Sequence, residues 1–274
     1  MRFQGVHSIM NAALIPFRGA ALLGAAVLSL IAAPAAAQNS GGGGTTVMVG
    51  LGPQIAPKYV GSDEYALFPY VIGSFRREGS PLSFSAPGDG LGITILSRDS
   101  VINFGPSVEF VGEREEADVG ALVGDVGFTV EVGGFVQILP VENFRIRAEV
   151  RQGIGGHGGL VGDLGADFVI RDRDTYIFSI GPRLRWADND YHDAYFGVTP
   201  ASGLPAYDPG SGFYAYGAAA GLTYKLGHNW GMQGYLGYDR LVGDAAHSPI
   251  VSILGSRNQF SGGLGLFIEF TIGR

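Results

Sequence analysis

The 274-residue chain contains no cysteine, which excludes a disulfide framework, a thiolate metal site and a cysteine nucleophile. Charge is scarce, at 16%, and no basic cluster stands out, so the phosphate contacts that dominate nucleic-acid affinity are missing. After residue 37 no stretch reaches the ~18 apolar residues that mark a helical membrane span. What the chain has in excess is glycine, 46 residues, about 17% against a usual ~7%. Each glycine inside a helix costs about 1 kcal/mol relative to alanine, which disfavours a helical protein. The 11% aromatic content argues against wholesale disorder.

The one long apolar run, GAALLGAAVLSLIAAPAAA from Gly19 to Ala37, follows Arg2, His7 and Arg18 and ends in Ala35-Ala36-Ala37. A positive start, an apolar centre and an A-x-A end form a secretory signal. Residues 1–37 are therefore expected to be removed on export through the general secretory route. Met10 gives a tidier leader than Met1, and both stand as candidate starts. From Gln38 the mature chain has 237 residues and, without Arg2 and Arg18, 16 basic against 25 acidic groups, a formal charge of −9. Residues 38–46, containing Gly41 to Gly44, read as a flexible N-terminal lead-in, and 47–274 as one domain.

Apolar residues in that domain recur with period two, the mark of strands with two unlike faces. Phe144, Ile146, Ala148 and Val150 alternate with Arg145, Arg147, Glu149 and Arg151. Leu160, Leu164, Ala166, Phe168 and Ile170 alternate with Asp163 and Asp167, and Tyr176, Phe178, Ile180, Pro182, Leu184 and Trp186 with Ser179, Arg183 and Arg185. Tyr214, Tyr216, Ala218, Ala220, Leu222 and Tyr224 continue the pattern, as do Trp230, Met232, Leu236, Tyr238 and then Leu264, Leu266, Ile268, Phe270. In a soluble sandwich the apolar face turns inward; in a transmembrane barrel it meets lipid and the lumen is polar. Aromatics at the strand ends, Tyr176 with Trp186 and Trp230 with Tyr238, favour the barrel. Eight strand residues tilted near 40° span about 20 Å, close to the height of a barrel's apolar band. The polar faces of neighbouring segments then carry opposite signs: Asp125 and Glu131, then the arginines 145, 147 and 151, then Asp163 and Asp167, then Arg183 and Arg185. That is the arrangement cross-strand pairs require.

The expected strands are 45–56, 65–76, 81–97, 100–111, 124–138, 143–153, 159–170, 175–187, 213–226, 229–242 and 260–271. Short turns (Leu139 to Asn143, Arg171 to Asp174, Gly227 to Asn229, Arg98 to Ser100) alternate with long connections (Glu113 to Val123, Ala187 to Gly212, Gly243 to Gln259), as in outer-membrane barrels. Eleven strands would put the two chain ends on opposite sides of the membrane. Splitting 81–97 at Pro87-Gly88-Asp89-Gly90 gives twelve and restores the parity; ten is the alternative, because both halves are short for a span. The fold expected is an all-β, transmembrane antiparallel barrel of about 12 strands.

Sites of chemistry are sparse. His157 lies in GGHGG, His228 in a turn and His247 beside Ser248, but none falls in a G-x-S-x-G elbow or an H-E-x-x-H pair, and each reads as a solvated loop residue. Asp188, Asp190, His192, Asp193 and Asp208 offer oxygen ligands for Ca²⁺ without EF-hand spacing and read as an ordinary loop. The glycines of Gly162 to Gly165 and Gly217 to Gly221 open no helix that could cap a phosphate and suit close strand packing. No catalytic, cofactor-binding or metal-binding residue is assigned, no cofactor is expected, and the chain is read as a non-enzyme.

Three blocks resemble the MltA-interacting protein/OmpV family of outer-membrane proteins. They are GLGPQIAPKYVGSDEYALFPY from Gly50 to Tyr70, YFGVTPASGLPAYDPGSG from Tyr195 to Gly212, and DRLVGDAAHSPIV with GSRNQF from Asp239. One departure is that Thr271-Ile272-Gly273-Arg274 follow Phe270, where such barrels commonly finish on the aromatic. The resemblance implies a barrel in the outer membrane, surrounded by lipid. It further implies a non-enzymatic scaffold for peptidoglycan-synthesising and remodelling enzymes, a lytic transglycosylase and a bifunctional murein synthase. A small-solute channel and a surface adhesin acting through the loops Ala187 to Gly212 and Gly243 to Gln259 are the alternatives.

Overall fold

The computed structural model describes residues 44–95, 100–172 and 174–273. The expected leader, residues 38–43 of the lead-in, Arg98 and Asp99 lie outside them. The chain forms β1 (Thr45–Pro57), β2 (Tyr65–Arg77), β3 (Leu91–Gly92), β4 (Ile102–Val111), β5 (Thr129–Val141), β6 (Phe144–Gly155), β7 (Leu160–Asp172), β8 (Tyr176–Ala187), β9 (Gly212–Lys225), β10 (Trp230–Leu241) and β11 (Asn258–Ile272). Short helices α1 (Glu116–Val119), α2 (Asn189–Phe196), α3 (Gly243–His247) and α4 (Pro249–Ser252) sit in the long connections. Among the described residues no helix is long and apolar enough to cross a membrane.

All strands join one antiparallel sheet in the order β2-β1-β11-β10-β9-β8-β7-β6-β5-β4-β3. Thr45 pairs with Ile272 and with Arg77, so the start of β1 and the end of β11 lie at one end of the sheet, the terminal end. The sheet curls until β2 and β4 border a common cavity. Ten expected strands form within a few residues of their expected bounds. Among the described residues the sheet has eleven strands, close to the twelve expected, because there the 81–97 segment contributes only β3, extended by Ile93 and Ile95, whose amides donate to Pro106 and Phe104.

Alternation sorts the faces as read from sequence. Leu236 (71% exposed), Leu266 (61%) and Ile268 (54%) lie outside, whereas Arg145, Arg147, Glu149 and Arg151 of β6 are buried inside. Aromatics border the apolar exterior at both ends: Tyr176 opposite Tyr224 near the terminal end, and Trp186 opposite Phe213 near the loop end. Two placements differ. A bulge pairs Arg185 with Ala215 and Trp186 with Phe213, which turns the intervening Tyr214 inward, 7% exposed, instead of onto the apolar face. Asp125 is exposed outside the lumen, because β5 begins only at Thr129 and the Asp125 carboxylate accepts from the Glu116 amide (2.7 Å).

The parity conflict of eleven strands is resolved inside the sheet. β2 runs toward the terminal end, and β3, antiparallel to β4, runs the same way. Between them the chain climbs through the lumen. Leu82, 2% exposed, packs with Met48, Ile72, Val169, Ile177 and Phe267, inward-facing residues of β1, β2, β7, β8 and β11. A side chain that meets so many strands of the ring must stand in its interior. Pro87 abuts the position of Gly221, and Phe84 lies 4.6 Å under the Arg145 guanidinium. Leu82 to Ala86 keep a strand's alternation, but Pro87-Gly88-Asp89-Gly90 ends it in a turn after five residues, too few to span the apolar band.

Candidate functional site

The lumen holds the densest chemistry of the molecule. Arg145 is bracketed by two carboxylates: Asp167, accepting from Nε (3.1 Å) and Nη2 (2.5 Å), and Asp89 of the interior segment, accepting from Nη1 (2.6 Å) and Nη2 (3.1 Å). Asp89 also accepts from the Ala86 amide (2.9 Å), closing a turn that presents its carboxylate. Asp167, fully buried, accepts in addition from Arg183 (2.7 Å). One rung nearer the loop end, Glu149 accepts from Arg147 (2.5 Å), from Arg151 (2.6 Å) and from the Ser107 hydroxyl. Arg151 reaches Glu131 (2.8 Å), Asp163 (2.8 Å) and Glu109 (2.6 Å). Arg185 spans Asp163 and Asp239. A separate cluster near the terminal end joins Arg76 (2.6 Å) and Lys225 (2.9 Å) to Glu269.

This is the lumen network that the alternating signs implied. A buried charge is costly unless it is paired and hydrogen-bonded, and here each of these arginines meets at least one carboxylate, most of them on other strands or on the interior segment. The network therefore fixes register and anchors the segment. Its carboxylates are engaged by guanidinium groups, which makes them poor general bases.

The other side of the lumen, formed by β1, β2 and β9 to β11, is spacious because its inward residues are small. A Cβ at Gly263 would meet Tyr235, Gln54 and Tyr70, and one at Gly221 would meet Pro87, so both glycines make room for a neighbour. Tyr235 donates to Gln54 (2.7 Å), and its ring lies 5.2 Å from Tyr70. Two adjoining cavities of about 400 Å³ and about 600 Å³ occupy this side, with Gln54, Asp89, Glu109, Arg185 and Asp239 bordering both.

The loop end is closed by a packed cap. Tyr191, Tyr195, Phe196, Tyr214, Leu241, Ala245, Ala246 and Val251 form one buried cluster. Tyr59, Val119, Val198 and Ile250 form another. Ser248 donates to the Phe196 carbonyl (2.7 Å), and Gly210 donates to Asp244 (2.7 Å), so the two long loops fold onto each other. Burial pushes the Tyr195 phenol up to about 12 and the Tyr191 phenol well above its usual range. Burial also lowers the Arg114 guanidinium, whose Nη atoms donate to the Tyr195 (3.2 Å) and Gly124 (2.9 Å) carbonyls.

The histidines divide. His228 and His247 are exposed as expected. His157 and His192, read as solvated, are buried at 4% and 1% exposure, because glycine-flanked His157 turns back under the cap. Its Nδ1 accepts from the Gly159 amide (3.1 Å), which leaves the proton on Nε2 to donate to Glu131 (3.0 Å). His192 Nδ1 bonds the Gly210 carbonyl. No nucleophile stands beside either ring among the hydrogen bonds of the described residues. The five-residue Asp/His loop does not gather around a point. Asp188 caps α2 by accepting from the Tyr191 amide (3.1 Å), and among the described residues no group of acidic or histidine side chains has metal-site geometry. Sequence reasoning missed Asp89 as a lumen anchor. Its only signal was the PGDG turn in a segment too short to span twice.

Among curated proteins none matches the chain in sequence. Solved structures similar to it include the NanC porin (10% identity, 82% of this chain and 98% of that one, TM-score 0.38). An outer membrane channel from Pseudomonas putida F1 (11%, 83% and 96%, TM-score 0.40) and the P. putida toluene transporter TodX (11%, 84% and 90%, TM-score 0.36) are also similar. Likeness at that level fixes no shared chemistry. The family model described as MltA-interacting protein MipA matches residues 49–270, nearly all of the curled sheet and its cap, and the chain belongs to that family.

Proposed function

We propose that the protein is an outer-membrane β-barrel that serves as a non-enzymatic scaffold for peptidoglycan-synthesising and remodelling enzymes. The observation that carries the membrane part is the exterior: Leu51, Leu67, Leu236, Leu264 and Leu266 are each more than half exposed on the outward positions of β1, β2, β10 and β11. Water would penalise so large a contiguous apolar face, whereas lipid accepts it. Family membership supports the scaffold reading, which agrees with a lumen occupied by its own chain and by paired charges. A scaffold needs a membrane-fixed surface that raises the local concentration of two partners, and no catalytic group. In this reading the short connections at the terminal end, Glu142-Asn143 and Leu226 to Asn229, would face the periplasmic enzymes. Export through the general secretory route, with residues 1–37 removed, belongs to the same proposal.

Crosslinking intact envelopes and purifying the protein tests it: a lytic transglycosylase and a bifunctional murein synthase should co-purify from the outer-membrane fraction. Their absence under crosslinking would sink the scaffold. The two adjoining lumen cavities favour a second reading, a narrow conduit for small solutes. Planar-bilayer recording separates the two, since steady ion-selective steps belong to the conduit alone.

A further inference from the structure

The wall is interrupted on one side. The Leu91–Val108 pair is the last rung between β3 and β4 toward the loop end. Among the described residues, β4 beyond it pairs only with β5 and β2 pairs only with β1. The larger cavity lies at this seam, and its lining joins side chains that a closed wall would keep apart. Val71, Val108 and Phe110 occupy outward positions of β2 and β4, whereas Glu109, Arg185 and Asp239 face the lumen. Strand side chains alternate between faces, so residues of both parities border one space only where that space passes through the wall.

We propose that the seam between β2 and β4 is a lateral window through which a small, mostly apolar molecule bearing one hydroxyl or N–H donor passes from surrounding lipid into the cavity. The inference rests on the outer-membrane reading above. Tyr195, Tyr214 and Leu241 of the cap cluster also border this cavity and roof it toward the loop end, so the side is the open approach. The volume, about 600 Å³, lies in the range of small-molecule sites. At its floor Arg185 is held by Asp239 (3.2 Å) and Arg151 by Glu109 (2.6 Å), so the guanidinium groups are engaged and the site offers an anion no free cation. The partly exposed oxygens of Asp239 and Glu109 remain able to accept, which selects a donor at one end of an apolar body, and an approach through hydrocarbon favours a neutral one. Strand edges left unpaired at membrane depth are tolerated where they line a cavity, and the seam is such a border.

The test uses the full-length protein in detergent micelles, titrated with N-phenylnaphthylamine, an apolar fluorophore with a single N–H. The wild type should give a saturable fluorescence rise. Val108→Trp and Val71→Trp, which fill the window from outside, should weaken it on the order of tenfold or more, and Tyr207→Phe in the cap should leave it unchanged. Heat-modifiable migration on gels verifies that each variant is folded. In nanodiscs, lipids brominated in their acyl chains should quench the bound probe, a readout that needs no variant. Absence of saturable binding, binding indifferent to both tryptophans, or absence of quenching overturns the window. Envelope fractionation tests the membrane reading separately, so failure of binding by a protein that does sediment with the outer membrane rejects the window alone.

Discussion

Asp89→Asn should release the interior segment while leaving the wall intact. The carboxylate accepts two hydrogen bonds from Arg145, at 2.6 and 3.1 Å, and one from the Ala86 amide at 2.9 Å. An amide keeps one oxygen but turns an N–H₂ toward a guanidinium, so at least one charge-assisted bond is lost and the other is weakened. Hydrogen bonds to charged groups contribute about 1.5–3 kcal/mol each, which sets the loss near 3 kcal/mol for the segment. At about 1.4 kcal/mol per factor of ten, the segment should open on the order of a hundred times more often. The wall does not follow, because Arg145 retains Asp167 at 3.1 and 2.5 Å, and Arg147 retains Glu149 at 2.5 Å. Hydrogen exchange on the refolded barrel is the assay. Peptides spanning residues 80–92 should exchange on that scale faster, and peptides from β6 to β8 at the wild-type rate. Unchanged protection of the segment would refute the anchoring role of Asp89, and uniform loss across the wall would refute its separability from the sheet.

Asp167→Asn should do the opposite. It strips Arg183 of its carboxylate, leaving only the carbonyls of Pro87 and Pro182, and breaking a buried pair costs about 3–5 kcal/mol, read as a lower urea midpoint of the whole barrel. Leu236→Arg, at an outward position 71% exposed, should destabilise the protein by about 2–4 kcal/mol in lipid vesicles if it lies near the bilayer centre; a shift under about 0.5 kcal/mol, as at ordinary surface sites, would refute a lipid-facing belt. Asp193 in α2 has its carboxyl raised by partial desolvation and then by Asp208 and Asp190. The folded cap therefore favours the protonated acid, and stability falls as pH rises from the unfolded pKa through the raised folded one. Asp193→Asn should stabilise the cap at neutral pH by well under about 1 kcal/mol, because the group is exposed and screened. That gain should vanish in thermal melts below the carboxylate range.

How much of this was legible in the sequence follows from how local each determinant is. Alternation is local, and it placed Arg145, Arg147, Asp163, Asp167, Arg183 and Arg185 inside and Leu236 and Leu266 outside without reference to any partner strand. The Tyr214 placement failed because a bulge shifts parity by one residue, and no glycine or proline in the Phe213-Tyr214-Ala215 run marks it. The 81–97 segment failed for a different reason. Its residues suit a strand individually, but whether a segment joins the wall or enters the lumen depends on what the lumen lacks. Here Arg145, which pairs Asp167 on one side, has capacity left for a second carboxylate, and Asp89 supplies it from 56 positions earlier in a chain whose local pattern carries no trace of the pairing. The buried histidines were equally illegible, since His157 is buried by α2, which follows it in the chain.

The same pairing accounts for the asymmetry of the interior. Arginines on β6 and β8 stand between carboxylates on β5, β7 and the interior segment, so that side is filled with long side chains that need two or more partners each. Glycine and alanine at Gly217, Ala219, Gly221, Gly263 and Gly265 leave the middle of β9 and β11 without such side chains, which β9 and β11 carry only at Lys225 and Glu269 near the terminal end, and the interior segment lies across toward the arginines. Its departure from the wall is what leaves β2 without a ladder partner beyond β1 among the described residues. The anchored segment, the spacious glycine side and the seam are thus one consequence of where the charges sit. A chain with Asp89 replaced and a glycine-side charge added should redistribute all three together.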